Sequence, residues 1–137
     1  SEQRKVPASN KMFYENPQKR RHLVNPYDKT MDLNDRARSF MHSNCSSCHV
    51  EAGGGNAQMN LEFLAKSDKV KIINEKPNHH TLDLPDALLV APGEPDRSVL
   101  LKRINIVGQG QMPQIGRNRI DQEAVEMIRE WIRSLPK

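Results

Sequence analysis

Residues 45–49 read Cys45-Ser46-Ser47-Cys48-His49, and this stretch decides the interpretation of the whole chain. The two thiols lie about one helical turn apart, so both can face one edge of a planar group while the histidine lies beneath it. A surface disulfide and half of a zinc site are the alternatives. A structural zinc site takes four ligands, usually with further Cys or His at matching spacing, whereas this chain has only two cysteines. A thioredoxin-like C-x-x-C would lie near a βαβ pattern, which the sequence lacks.

The pattern C-x-x-C-H is the one to which a c-type haem is attached covalently. We therefore expect the thiols of Cys45 and Cys48 to form thioethers with the two vinyl groups of one haem c. His49 is expected to be the proximal ligand of the iron. A haem would also supply a large apolar surface for the hydrophobic residues to cover. Such residues are sparse, since only 4% of the chain is aromatic and the mean hydropathy is −0.77.

Covalent haem attachment takes place outside the cytoplasm, so the expected location is periplasmic or otherwise extracytoplasmic. No signal peptide begins the given sequence, and this location is inferred from the chemistry alone. No run of residues approaches the roughly 18 apolar residues of a membrane span. The sequence therefore predicts a protein without a membrane span.

The length of 137 residues predicts one domain with an appendage. Residues 1–32 hold seven of the 21 Lys and Arg residues but four of the 17 acidic residues, and they contain prolines. We interpret them as a basic N-terminal arm or linker, and residues 33–137 as a monohaem domain. A basic arm can bind nucleic acid or an acidic protein. The run Lys19-Arg20-Arg21-His22 is too short to favour nucleic acid, which is not expected as a partner.

Helical periodicity predicts a mainly α fold. Asp32 or Asn34 can cap a helix that leads into the haem motif, with an apolar stripe at Leu33, Ala37, Phe40, Met41 and Cys45. Asp121 is the predicted cap of the last helix, which has its stripe at Ala124, Ile128, Trp131, Ile132 and Leu135. A third helix is expected to open at Glu94 or Asp96 with Pro95 in its first turn. A short helix is expected at residues 60–65, capped by Asn60. Residues 66–92 are otherwise unassigned, with a short strand or a helical turn as the alternatives at Val70, Ile72 and Ile73.

The second axial ligand of the iron is predicted to be Met112. It lies in Gly108-Gln109-Gly110-Gln111-Met112-Pro113, a loop that the glycines make bendable and the proline makes rigid. A methionine is usually core filler, but Met112 lies between Gln and Pro and belongs to no apolar stripe. Met59, His79 and His80 are the other candidates. A vacant sixth position is a further alternative.

The helix that ends in the haem motif, the late Met112-Pro113 and the amphipathic last helix together resemble class I c-type cytochromes over residues 33–137. The resemblance implies several helices wrapped around one covalent haem, with the N- and C-terminal helices crossing. In that family a small residue on the first helix meets an aromatic residue on the last. Ala37 and Trp131 match those positions.

Residues 90–104 are similar to the P-G-x-P-x-x-S-x-L-L-x-R segment of bacterial cytochrome modules that are fused to or partnered with periplasmic dehydrogenases. These modules usually continue with Met-Pro-Pro, whereas Gln114 stands at the second proline here. Arg103, at the end of the segment, is a candidate partner for a haem propionate, because the arginine fork suits carboxylates.

The expected function is single-electron transfer with His/Met ligation, which raises the reduction potential of a haem iron relative to bis-histidine ligation. Electrons would come from a dehydrogenase and pass to a respiratory acceptor. No catalytic residue is predicted, so the chain is read as an electron-transfer protein, or as a domain of a larger oxidoreductase, rather than an enzyme. The alternatives are a haem enzyme or gas-sensing domain with a labile sixth ligand, and a haem-free binding module with a Cys45–Cys48 disulfide.

Overall fold

A computed structural model describes residues 16–55 and 58–137. Within these ranges the chain forms four α-helices, which are α1 Leu33–Cys45, α2 Ser67–Val70, α3 Val99–Ile104 and α4 Gln122–Ser134. Short 3₁₀ turns occur at Pro17–Lys19 and Pro95–Arg97. The described residues contain no strand, and the pairs Ile73–Val90 and Leu88–Ser98 form isolated bridges only. The prediction of a mainly α fold is therefore confirmed. None of the helices in these ranges is long and apolar enough to cross a membrane.

Helix α1 begins at Leu33 because the side chain of Asp32 accepts a hydrogen bond of 3.0 Å from the backbone N–H of Asp35. Such a cap satisfies one of the free N–H groups in the first turn. Asn34, the other predicted cap, instead accepts a hydrogen bond of 3.1 Å from the indole Nε1–H of Trp131. The helix ends at Cys45, so the first cysteine of the motif lies in its last turn.

Helix α4 packs against α1, and the two helices supply most of the core. The side chain of Asp121 caps α4 by accepting a 3.0 Å hydrogen bond from the N–H of Ala124. The buried face of the helix consists of Ala124, Val125, Met127, Ile128, Trp131 and Ile132. Ala37 is fully buried and Trp131 is 3% exposed, and both belong to the same hydrophobic cluster.

The predicted start of the third helix is wrong. Residues Pro95–Arg97 form a 3₁₀ turn, and α3 begins only at Val99. The cause is Ser98, whose backbone is extended and whose buried hydroxyl donates to the carbonyl of Glu94 and accepts from the N–H of Ala91. These bonds hold the chain out of a helix for one residue, and the helix can propagate only after it.

The short helix predicted at residues 60–65 is also wrong. The side chain of Asn60 accepts from the N–H of Glu62 and forms a local turn. The guanidinium of Arg38 on α1 donates to three carbonyls in this segment, those of Glu62, Phe63 and Ala65. The segment therefore forms local turns that are bonded to α1, not a helix. In the unassigned stretch that follows, α2 forms a single turn of helix.

Residues 16–32, the described part of the predicted arm, lie along α1 and reach the start of α4. The contacts are a hydrogen bond from Val24 N–H to Ser39 Oγ, one from Arg36 Nε to the carbonyl of Pro26, and one from the Tyr27 hydroxyl to Asp121. Arg21 also forms an ion pair with Asp35, at 3.1 Å. The domain boundary at residue 32 stays a prediction.

Candidate functional site

The C-x-x-C-H motif forms a tight turn at the end of α1. The backbone N–H groups of Cys48 and His49 both donate to the carbonyl of Cys45, at 3.2 and 2.9 Å. Cys45 is buried, Cys48 is exposed, and both thiols are free. Burial raises the pKa of the Cys45 thiol to about 11, with a smaller contribution from Cys48, because the thiolate is poorly solvated there. The turn thus holds both sulfur atoms and the histidine within one short, hydrogen-bonded segment.

The backbone of His49 is anchored by its carbonyl, which accepts a hydrogen bond of 2.8 Å from the N–H of Leu61. Burial lowers the pKa of the imidazole, and the positive charge of Arg103 lowers it further. His49 is therefore neutral at pH 7, and a neutral imidazole is the form that binds a metal. Its Nδ1 is buried and has no hydrogen-bond partner among the described residues.

Gly55 explains how the ring of His49 is placed. A Cβ atom at residue 55 would lie 2.6 Å from Nδ1 and 2.8 Å from Cε1 of His49, closer than real Cβ atoms approach other atoms. At Gly53 a Cβ would lie 2.4 Å from the carbonyl oxygen of Cys48, whereas at Gly54 it would meet nothing within 4 Å. The glycine loop therefore passes directly against the motif. Because Gly55 covers Nδ1, Nε2 is the ring nitrogen left for a metal.

Met112 is partly buried, and its backbone is held on both sides. Its N–H donates to the carbonyl of Arg103 at 3.0 Å, and its own carbonyl accepts from Nε and Nη2 of Arg117, at 3.2 and 3.0 Å. The Met112–Pro113 peptide bond is cis. The three hydrogen bonds fix the backbone from which the thioether projects.

Sequence reasoning missed two residues that shape this loop, Gln111 and Arg117. Gln111 is 7% exposed. Its side-chain oxygen accepts from the N–H of Gly108 at 2.7 Å, and its amide nitrogen donates to the carbonyls of Pro113 and Arg117. Gln114, at the position of the second proline in the similar modules, is exposed. The sequence signal that could have identified Gln111 is an amide side chain next to glycines, in a loop whose backbone N–H and carbonyl groups need polar partners.

Arg103 contacts the Met112 loop, and its positive charge lowers the pKa of His49. Its Nη1 donates to the carbonyl of Gly110 at 2.9 Å. Its own carbonyl accepts the N–H of Met112. The structure thus brings His49, Arg103 and the Met112 loop into one region. The pairing of Arg103 with a propionate stays a prediction.

The alternative iron ligands lie in different settings. Met59 is partly buried and packs against the hydrophobic core. His79 and His80 are exposed, in a stretch without regular secondary structure. Residues 16–55 and 58–137 contain no group of three or more His, Cys, Asp or Glu side chains that could hold a metal ion. A haem iron needs none, because the porphyrin supplies four of its ligands and one histidine with one thioether completes the set.

Two cavities, of about 380 and 350 Å³, lie elsewhere on the molecule. The first is lined by residues that include His22, His42 and Phe63, and the second by residues that include Arg38 and Trp131. Neither is lined by the cysteines, His49 or Met112. Because neither cavity lies at the motif, the comparison with a haem depends on the donor atoms of Cys45, Cys48, His49 and Met112.

No protein-family model, curated protein or solved structure matches this chain.

Proposed function

We propose that this protein carries single electrons on one covalently bound haem c, within a class I cytochrome c-like fold. Cys45 and Cys48 would hold the haem through thioethers, and His49 and Met112 would be the axial ligands of its iron. The observation that carries the proposal is the hydrogen-bonded turn that holds Cys45, Cys48 and His49 together, with Gly55 against the imidazole. Near it, the carbonyl of Arg103 accepts a hydrogen bond from the N–H of Met112, and the positive charge of Arg103 lowers the pKa of His49.

The donor atoms fit a haem iron. The lowered pKa of His49 keeps the imidazole neutral, so no proton competes with the metal. The Met112 thioether carries no proton at any pH. When bound, the haem would supply a reversible Fe(III)/Fe(II) couple, whose potential is raised by methionine ligation.

The protein's own residues would hold and shield that group. Gly55 leaves room for the ring of His49, and the turn after α1 keeps the two thiols together. Arg103 is partly buried and would bring a positive charge to a propionate. The expected partners are a dehydrogenase as donor and a respiratory acceptor in the periplasm, in small and transient contacts.

Optical spectra of protein made in a cell competent in cytochrome maturation test the proposal. Covalent haem that survives denaturation, with a weak far-red iron–thioether band in the oxidised state, is the expected result. Covalent haem without the band would move the sixth ligand to a histidine or leave the position vacant, as in a haem enzyme or gas sensor. Absence of covalent haem would refute the proposal.

Paired methionine variants test the axial ligand. Met112→Ala should keep the covalent haem but lose the far-red band, lower the potential and open the iron to external ligands. Met59→Ala is the matched control and should keep the band and the potential, because Met59 packs against the core. The opposite pattern would assign the iron to Met59.

A further inference from the structure

Arg117 contributes no atom to the proposed iron site, yet it binds the residue that would. Its guanidinium donates to the carbonyl of Met112 from both Nε and Nη2, and to the carbonyls of Arg103, Ile106 and Arg119, at distances of 2.8 to 3.2 Å. Arg117 is itself partly buried. We propose that Arg117 is a positioning residue that holds the Met112 backbone so that the thioether reaches the iron. This inference rests on the proposed function.

The first reason is that the guanidinium of Arg117 donates to the carbonyl of Arg103, at the C-terminal end of α3. Arg103 is in the last turn of α3, where carbonyls have no partner within the helix and the helix dipole is negative. A cation is favoured there. Arg117 therefore joins a fixed point, the C-terminal end of α3, to the carbonyl of Met112.

The second reason is the backbone of the loop. Gly108 and Gly110 have φ values of +96° and +86°, a region that glycine enters at low cost and leaves as easily. Such a backbone does not hold one conformation by itself. Its shape depends on hydrogen bonds to other groups, and Arg117 is the side chain that donates to the carbonyl of Met112.

The third reason is the shape of the guanidinium. Four carbonyls approach it from different directions, and a planar fork with five N–H donors can serve them together. A lysine carries a compact ammonium on a flexible stem and cannot reproduce this arrangement. The site therefore requires arginine rather than a positive charge.

The test compares Arg117→Met and Arg117→Lys with Arg119→Met, a control in which an exposed arginine of the same loop is replaced. In Arg117→Met we expect the far-red band to be lost well below the unfolding temperature. Imidazole should bind the oxidised iron at least tenfold more tightly, and the Met112 amide should exchange hydrogen at least tenfold faster. Arg117→Lys should show the same changes in part, and it serves as the test if Arg117→Met does not fold. Arg119→Met should resemble the wild type.

A full band with unchanged imidazole affinity and unchanged Met112 amide exchange in Arg117→Met would overturn the positioning role alone, provided that Met112→Ala loses the band. Equal effects of Arg119→Met and Arg117→Met would also overturn it, because the effect would then follow charge rather than the contact. If the wild type itself lacks the band, the proposed ligation fails and the positioning role fails with it.

Discussion

The hydrogen bond between Tyr27 and Asp121 joins the predicted arm to the start of α4, and its removal has a calculable effect. The Tyr27 hydroxyl donates to Oδ2 of Asp121 while Oδ1 of the same carboxylate caps the helix. A hydrogen bond to a charged group contributes about 1.5 to 3 kcal/mol. Tyr27 is 41% exposed, so solvent screening reduces the expected contribution to about 1 kcal/mol.

The Tyr27→Phe substitution should therefore lower the free energy of unfolding by about 1 kcal/mol. Asp121→Ala should cost about 1 kcal/mol for the lost cap in addition to the lost tyrosine contact. Urea unfolding of the wild type, both single variants and the double variant gives the coupling energy between the two side chains. A coupling energy close to zero would refute the contact.

The same contact predicts a pH dependence. The hydrogen bond to Asp121, followed by burial and the negative charge of the carboxylate, raises the pKa of Tyr27 from 10.0 to about 12. The folded state thus retains the proton more strongly than the unfolded state. The stabilisation is fully present below pH 10 and is lost as the pH rises towards 12. The difference between wild type and Tyr27→Phe should vanish over that range, and a difference that grows with pH would contradict the assigned donor.

Two further substitutions test the packing around α1. Gly55→Ala should displace the ring of His49 and lower the free energy of unfolding by about 1 to 3 kcal/mol. Gly54→Ala, the control, should change it by less than about 0.5 kcal/mol. Equal costs of the two substitutions in chemical unfolding would contradict the close approach at residue 55. Asn34→Ala should cost about 1 to 2 kcal/mol because it leaves the buried indole N–H of Trp131 without its acceptor. Asn34→Asp keeps an oxygen there and should restore most of the loss, and failure to do so would separate Asn34 from the indole.

Helix caps and apolar periodicity predicted the helices that are determined by residues close together in the sequence. Helices α1 and α4 have caps within three residues of the groups that they satisfy and apolar stripes of helical period, so their bounds follow from pattern alone. The predictions at residues 60–65 and at the start of α3 are wrong because distant or unusual partners intervene. Arg38 takes the carbonyls of the first segment, and the buried hydroxyl of Ser98 delays the second.

The C-x-x-C-H motif and Met112 are candidates from residue type alone, because few other side chains in this chain offer the same chemistry; their roles as haem ligands stay predictions. The residues that hold the motif and Met112 in place could not be predicted in this way. Arg117 and Gln111 act on backbone carbonyls and N–H groups, which every residue possesses and no pattern distinguishes. Only the folded path of the chain shows which of these groups are within reach.

Two hydrogen bonds that join α4 and its cap to the N-terminal part of the described chain also constrain the order of assembly. Tyr27 and Asp121 are 94 residues apart, and Asn34 and Trp131 are 97 apart. A chain made from its N-terminus contains α1 and both cysteines long before the residues of α4 exist. Closure of α1 must therefore be a late event in folding, since contacts of such long range carry the largest loop entropy. Cys45 belongs to the same hydrophobic cluster as the buried face of α4, so its thiol is more accessible before that helix packs than in the finished fold, where it is buried.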